Sequence, residues 1–179
     1  SGMEGLYQAL TGAGYDQNCD GMHDEATDVL PFVASADDPF GGTAGQTGSP
    51  DTSGGGTLGG VGFRPHSKRV IVYVTDSPFR DPDSGDGSPG GCPADAGSDA
   101  VISAANGMGV TLVGLSSSGV EMAKLNTLAE STGSVVASDG DDSGDALVYL
   151  WSGASIELRE TVLSAIEGSL EPSWTWGAD

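Results

Sequence analysis

The run Val70-Ile71-Val72-Tyr73-Val74-Thr75-Asp76 constrains this chain more than any other stretch. It is short, rich in β-branched residues and free of polar alternation, the pattern of a strand covered on both faces. Turn residues follow at once from Ser77 to Gly87, with Pro78, Pro82 and Gly85 among them. Asp76 is therefore expected at the carboxyl edge of a parallel sheet, where open α/β folds place their ligands. An aspartate there reads in two ways, as a metal ligand or as the cap of a turn.

The pieces around that run alternate in type. Glu4 to Leu10 predicts a helix with Leu6, Ala9 and Leu10 on one face, stopped by Gly12 and Gly14. Residues 15–65 read as a long insertion with little regular pattern, in which only 29–33 could pack; the Gly/Ser/Thr tract 41–62 is either a mobile surface loop or a linker. After the strand and its acidic turn, Ser98 to Asn106 predicts a helix capped by a serine and ended by Gly107 and Gly109. A second buried strand is expected at Val110–Leu115 and a helix at Val120–Ser131 closed by Gly133. A third strand is expected at Ser134–Ser138, then a helix marked by Ile156, Leu158, Val162, Leu163 and Ile166, with Gly168 after it. Strands joined by helix-length crossovers imply an α/β fold, a parallel sheet with helices on both faces. Residues 1–170 are expected to form this domain and 171–179 a C-terminal tail. Three apolar strands leave a sheet with an open side, so further strands are expected beside them.

Composition limits the partners. The 179 residues hold 6 Lys and Arg against 26 Asp and Glu, a formal charge of −20. Such a surface repels phosphate backbones and attracts cations, which argues against nucleic acid. No apolar stretch approaches the roughly 20 residues that cross a bilayer, so no membrane insertion is expected. The opening Ser1-Gly2-Met3-Glu4 is unlike a signal peptide, and any targeting segment is expected to have been removed. The scarcity of lysine fits high-salt adaptation and a calcium-rich extracellular setting equally.

Cys19 and Cys92 both lie among Gly, Pro and Asp, where a disulfide is the preferred reading and two unrelated thiols the alternative. A bridge would restrict the unfolded chain by about 4 kcal/mol on the entropy account. Neither cysteine has ligand spacing for zinc. Asp16-Gln17-Asn18-Cys19-Asp20-Gly21 resembles the short Asp/Asn-rich calcium-binding repeats of extracellular proteins, with Asp16, Asn18 and Asp20 as oxygen ligands. It lacks the bidentate glutamate of a full EF-hand loop. Asp139, Asp141, Asp142 and Asp145 form a second cluster, either an ion site or a solvated loop. His23 and His66 stand in polar loops with no triad spacing and are expected to face solvent. Trp151 reads as core, whereas Trp174 and Trp176 alternate in an extended stretch that either anchors a partner chain or folds back on the domain.

In the order of these pieces the chain resembles the C-terminal half of a von Willebrand factor type A domain, and is especially similar to the I-like domain of integrin β subunits. Met3 to Leu10 resembles that family's second metal loop with Glu4 at its glutamate, and Val70 to Asp76 its fourth strand with the following aspartate. The turn Asp76 to Asp81 and Gly85-Asp86-Gly87 are also similar. The resemblance implies a Rossmann-like sheet whose N-terminal strands are missing from this chain, and a divalent cation, Mg²⁺ or Ca²⁺, held by Glu4 and Asp76. Asp139 and Asp141 would lie near an adjacent regulatory ion. The family's Asp-x-Ser-x-Ser loop does not occur here. The implied function is that of an extracellular or cell-surface binding module, in adhesion or surface assembly, which takes an acidic side chain of a protein partner onto the metal. A complementing chain or segment would supply the missing strands. The alternatives are a structural subunit with a degenerate metal site and, less favoured, a metal-dependent hydrolase. No base or nucleophile has an orienting partner, so an enzyme is not expected.

Overall fold

In a computed structural model of the chain, the described residues are 2–24, 26–31, 58–87, 95–117, 119, 121–136, 144–151 and 155–170. The chain divides into two compact units, Ser1–Arg69 with Phe79–Gly109, and Val70–Pro78 with Val110–Asp179.

The first unit is built on two helices, α1 (Gly2–Thr11) and α2 (Ser98–Met108), packed against each other. Met3, Leu6 and Leu10 recur at helical spacing on α1 and are buried, as are Val101 and Ala105 on α2. Each large apolar side chain withdrawn from water in this way contributes about 1.5–3 kcal/mol. Gly12 takes φ 62°, a left-handed conformation that ends α1 while its N–H bonds to the Gln8 carbonyl at 2.7 Å. Two further carbonyls at that end, Leu10 and Ala9, accept from the N–H groups of Gly60 (3.2 Å) and Val61 (3.0 Å). Residues 58–63 close on themselves through the Leu58–Phe63 bridge and so form part of this unit. The remainder of the Gly/Ser/Thr tract, through residue 57, lies outside the described residues.

α2 begins differently from expectation. Its N-cap is Gly97, which has no side chain to offer, and Ser98 is the first helical residue. The cap comes from the acidic turn instead. Asp81 Oδ1 accepts from the Ser98 N–H (3.0 Å) and Asp83 Oδ2 from the Asp99 N–H (2.8 Å). These bonds satisfy donors that every helix start leaves open, and they set negative charge at the positive end of the helix. α2 continues through Gly107 and stops at Gly109 with φ 61°, and the Arg69 guanidinium donates to the Met108 carbonyl at this end.

The second unit holds a three-stranded parallel sheet in the order β1 (Arg69–Thr75), β2 (Val110–Ser116), β5 (Val148–Leu150), β1 contributing all but its first residue. The fold is thus a mixed α/β arrangement. β2 is central and all seven of its residues are buried, as the unbroken apolar run requires. β1 is only half-buried and Val74 is 48 % exposed, so the strand that opened the sequence reading is an edge strand and is not covered on both faces. Val113 and Leu147 form the core, with Val70, Val72, Val136 and Tyr149 packed around them. Helix α3 (Met122–Ser131) lays Leu125 against Gly114 of β2, where an added Cβ would stand 3.1 Å from the leucine.

The expected third strand at Ser134–Ser138 is corrected. Only β3 (Val135–Val136) is extended among its described residues, and it pairs antiparallel with β4 (Asp145–Ala146). The reason lies at the edge of β2. Its Leu112 N–H is taken by the buried Ser134 hydroxyl (2.8 Å), and its Gly114 N–H by the Leu147 carbonyl (2.9 Å). β4 lies antiparallel to β3, and β5 takes the parallel position with Gly114 opposite Val148 and Ser116 opposite Leu150. The last helix, α4 (Ser155–Leu170), runs through Gly168 instead of stopping before it.

Candidate functional site

The loop after α1 is organised by carboxylates. Tyr15 and Val29 form an antiparallel bridge through two backbone hydrogen bonds of 2.8 and 2.9 Å, which brings the two ends of the loop together. Inside it, Asp16 Oδ1 accepts from the Cys19 N–H (2.7 Å) and Oδ2 from the Gly21 N–H (2.9 Å). Asp20 Oδ1 accepts from the Met22 N–H, and Asp28 accepts from the N–H groups of Gln17 (2.9 Å) and Asp24 (3.0 Å). Cys19 sits at φ 65°, an uncommon left-handed conformation for a residue with a side chain, and is disulfide-bonded. The only other cysteine in the sequence, Cys92, lies outside the described residues.

Asp16, Asp20 and Asp28 each offer an oxygen within 4.8 Å of the other two, with Asp16 buried, Asp20 exposed and Asp28 half-buried. Ca²⁺ binds oxygens at about 2.3–2.6 Å, so three carboxylates at this mutual distance could hold one ion between them. The Asp24 N–H, foremost among its hydrogen-bond donors, holds the Asp28 carboxyl below the usual range, which keeps it charged for that role. Asn18 is in the same loop but turns inward on it: its carbonyl accepts from the Asp20 N–H (3.0 Å) and its amide donates to Asp20 Oδ2 (3.0 Å) and Thr27 (3.2 Å). Asp28 escaped the sequence reading because it lies beyond the short Asp/Asn motif. The bridge that returns Val29 to Tyr15 is what delivers it.

Glu4 is on α1. One of its oxygens accepts from the Gln8 amide (2.6 Å) and the other from the Ala96 N–H (2.6 Å), so its carboxylate ties α1 to the segment entering α2. Gln8, itself 8 % exposed, also bonds both the N–H and the carbonyl of Gly14 (2.8 Å each) and fixes the start of the acidic loop. Asp76 belongs to the other unit. It stands exposed just beyond β1, where its Oδ1 accepts from the Ser77 hydroxyl (2.9 Å) and Thr75 shapes the turn through Ser77.

Beside the acidic loop the first unit holds a cavity of about 500 Å³. Its walls include Glu4, Tyr7, Tyr15, Asp16, His23 and Ala100, and among the described residues no lysine or arginine. The Tyr15 hydroxyl donates to Asp95 (2.9 Å). His23 and His66 are both exposed. Trp151 is half-buried, with its backbone N–H on the Ser116 carbonyl (2.9 Å). Asp145 is exposed in β4; Asp139, Asp141, Asp142, Trp174 and Trp176 lie outside the described residues.

No known protein family, curated protein or solved structure matches the chain. Among the described residues no helix is long and apolar enough to cross a membrane.

Proposed function

We propose that this chain is a cation-dependent protein-binding module, extracellular or at the cell surface, resembling the integrin β I-like variety of the von Willebrand factor A domain. The observation that carries the reading is the convergence of Asp16, Asp20 and Asp28 within 4.8 Å. A divalent ion there, Ca²⁺ in preference to Mg²⁺, would suit a loop that already spends most of its oxygens on backbone donors and has a flexible ligand geometry. The disulfide at Cys19, inside the same loop, supports an oxidising compartment. The order β1-β2-β5, with helices in the connections and Asp76 beyond the carboxyl end of the outermost strand, supports the fold part of the proposal. In that reading an acidic side chain of the partner completes the shell of a bound cation. A strand from a complementing chain or segment pairs beside β1.

The structural-subunit reading has its own support, because both Glu4 oxygens serve hydrogen bonds within the chain. Calorimetric titration with Ca²⁺ and with Mg²⁺ separates the two. Saturable Ca²⁺ binding that Asp28→Asn weakens supports the cation-dependent module. Absence of any heat of binding, with full folding retained in chelator, leaves the structural subunit.

A further inference from the structure

We propose that the cavity between α1, the acidic loop and the start of α2 is a binding site for an alkylammonium or alkylguanidinium group. Two carboxylates, Glu4 and Asp16, lie in its wall, and among the described residues no lysine or arginine lines it to cancel them. The same wall includes Tyr7 and Tyr15, aromatic side chains of the kind that attract a cation and cover an apolar stem. The Tyr15 ring is held by its hydroxyl bond to Asp95. Between these groups the lining is small, Ala13, Gly14, Ala96 and Ala100, which leaves room for methylene carbons.

The size of the occupant follows from what the cavity does not do. Among the described residues, the only three His, Cys, Asp or Glu groups within 4.8 Å of one another are Asp16, Asp20 and Asp28. Glu4, Asp16 and His23 therefore face the cavity without converging on a point, so a bare ion could not touch all three. A basic group on a flexible apolar stem needs only one carboxylate at its charged end, and about 500 Å³ is ample for one. The ligand class is thus a basic group on an apolar stem, from either a basic side chain of a polypeptide or a free polyamine. This site shares Asp16 with the acidic loop, whereas Glu4, Tyr7, Tyr15 and Ala100 lie outside that loop's carboxylate trio.

The test uses the full chain and follows amide and aromatic resonances on titration with N-acetyl-arginine methylamide, spermidine and the neutral N-acetyl-norleucine methylamide. Each is run in calcium and in chelator. We expect saturable shifts centred on Tyr7, Tyr15 and Ala100 for at least one of the two cations, with a dissociation constant of about 1 mM or tighter. The neutral compound should bind about tenfold or more weakly. Tighter binding of the arginine derivative assigns the ligand to a polypeptide, and tighter binding of spermidine to a free polyamine. Glu4→Gln should weaken binding several-fold, and Ala100→Leu, which fills the cavity without changing charge on a helix that favours leucine, should abolish it. Asp28→Asn, which removes an acidic-loop carboxylate that does not line the cavity, should leave binding in chelator intact, so the two sites fail separately. Absence of saturable shifts with both cations, equal binding of the neutral compound, or undiminished binding to a folded Ala100→Leu variant would overturn the proposal.

Discussion

Asp81 shows how much a single carboxylate does in this chain. It is 3 % exposed, and burial alone would raise its pKa; hydrogen bonds from the Ser98 and Asp83 N–H groups and the Ser84 and Ser98 hydroxyls outweigh that and hold it below the usual carboxylate value. A folded pKa below the unfolded one, about 3.9, means the folded state favours the charged form. The stabilisation is therefore complete above about pH 4 and is lost as the pH falls through the folded value. Asp81→Ala should cost about 1–3 kcal/mol, because it leaves buried donors unmet. Asp81→Asn should cost less at neutral pH and flatten the acid limb, which thermal melts between neutral and strongly acidic pH will read. Asp28 makes a second residue-scale case: Asp28→Asn keeps the side-chain shape and removes one of three charges. Ca²⁺ affinity should fall about tenfold or more in titration calorimetry, and an unchanged affinity would remove Asp28 from the site.

At the scale of elements, the parts legible in the sequence were those whose signal is local. The α1 spacing, its glycine stop, and the apolar runs of β1 and β2 lie in adjacent residues and were found where expected. β5 was missed although Ala146-Leu147-Val148-Tyr149-Leu150-Trp151 is an apolar run, and the third strand was placed at Ser134–Ser138 instead. The choice between them is made at β2 by the Ser134 hydroxyl, a tertiary contact that no periodicity reports. The acidic loop was half legible for the same reason: Asp16 and Asp20 share a motif, while Asp28 arrives through a backbone bridge. Helix ends behave likewise. Gly60 approaches α1 so closely that a Cβ would stand 2.3 Å from the Gln8 carbonyl oxygen. Gly60→Ala should therefore destabilise the first unit by about 1–3 kcal/mol, seen as a lower melting temperature. An unchanged melt would mean that this segment does not close the helix.

For the whole molecule, charge and covalent linkage dominate. With a formal charge of −20 the chain repels itself, so added salt should raise its melting temperature by screening. Calcium at matched ionic strength should raise it further if the acidic loop binds it, since a ligand held only by the folded state stabilises by mass action. Equal melts at matched ionic strength would reduce the calcium effect to screening. Reduction of the disulfide should lower stability by about 2–4 kcal/mol, and alkylation with mass measurement should find no free thiol before reduction. The start of α2 carries a consequence of another kind. Asp83 occupies the space a side chain at Gly97 would need, with its Oδ2 only 2.2 Å from where that Cβ would lie, and Asp81 and Asp83 together close a helix that lacks a cap of its own. Positions 81, 83 and 97 are therefore coupled: a serine or aspartate at 97 would need Asp83 withdrawn and would take over the capping, and loss of the two carboxylates would leave the helix start open unless position 97 supplied the cap.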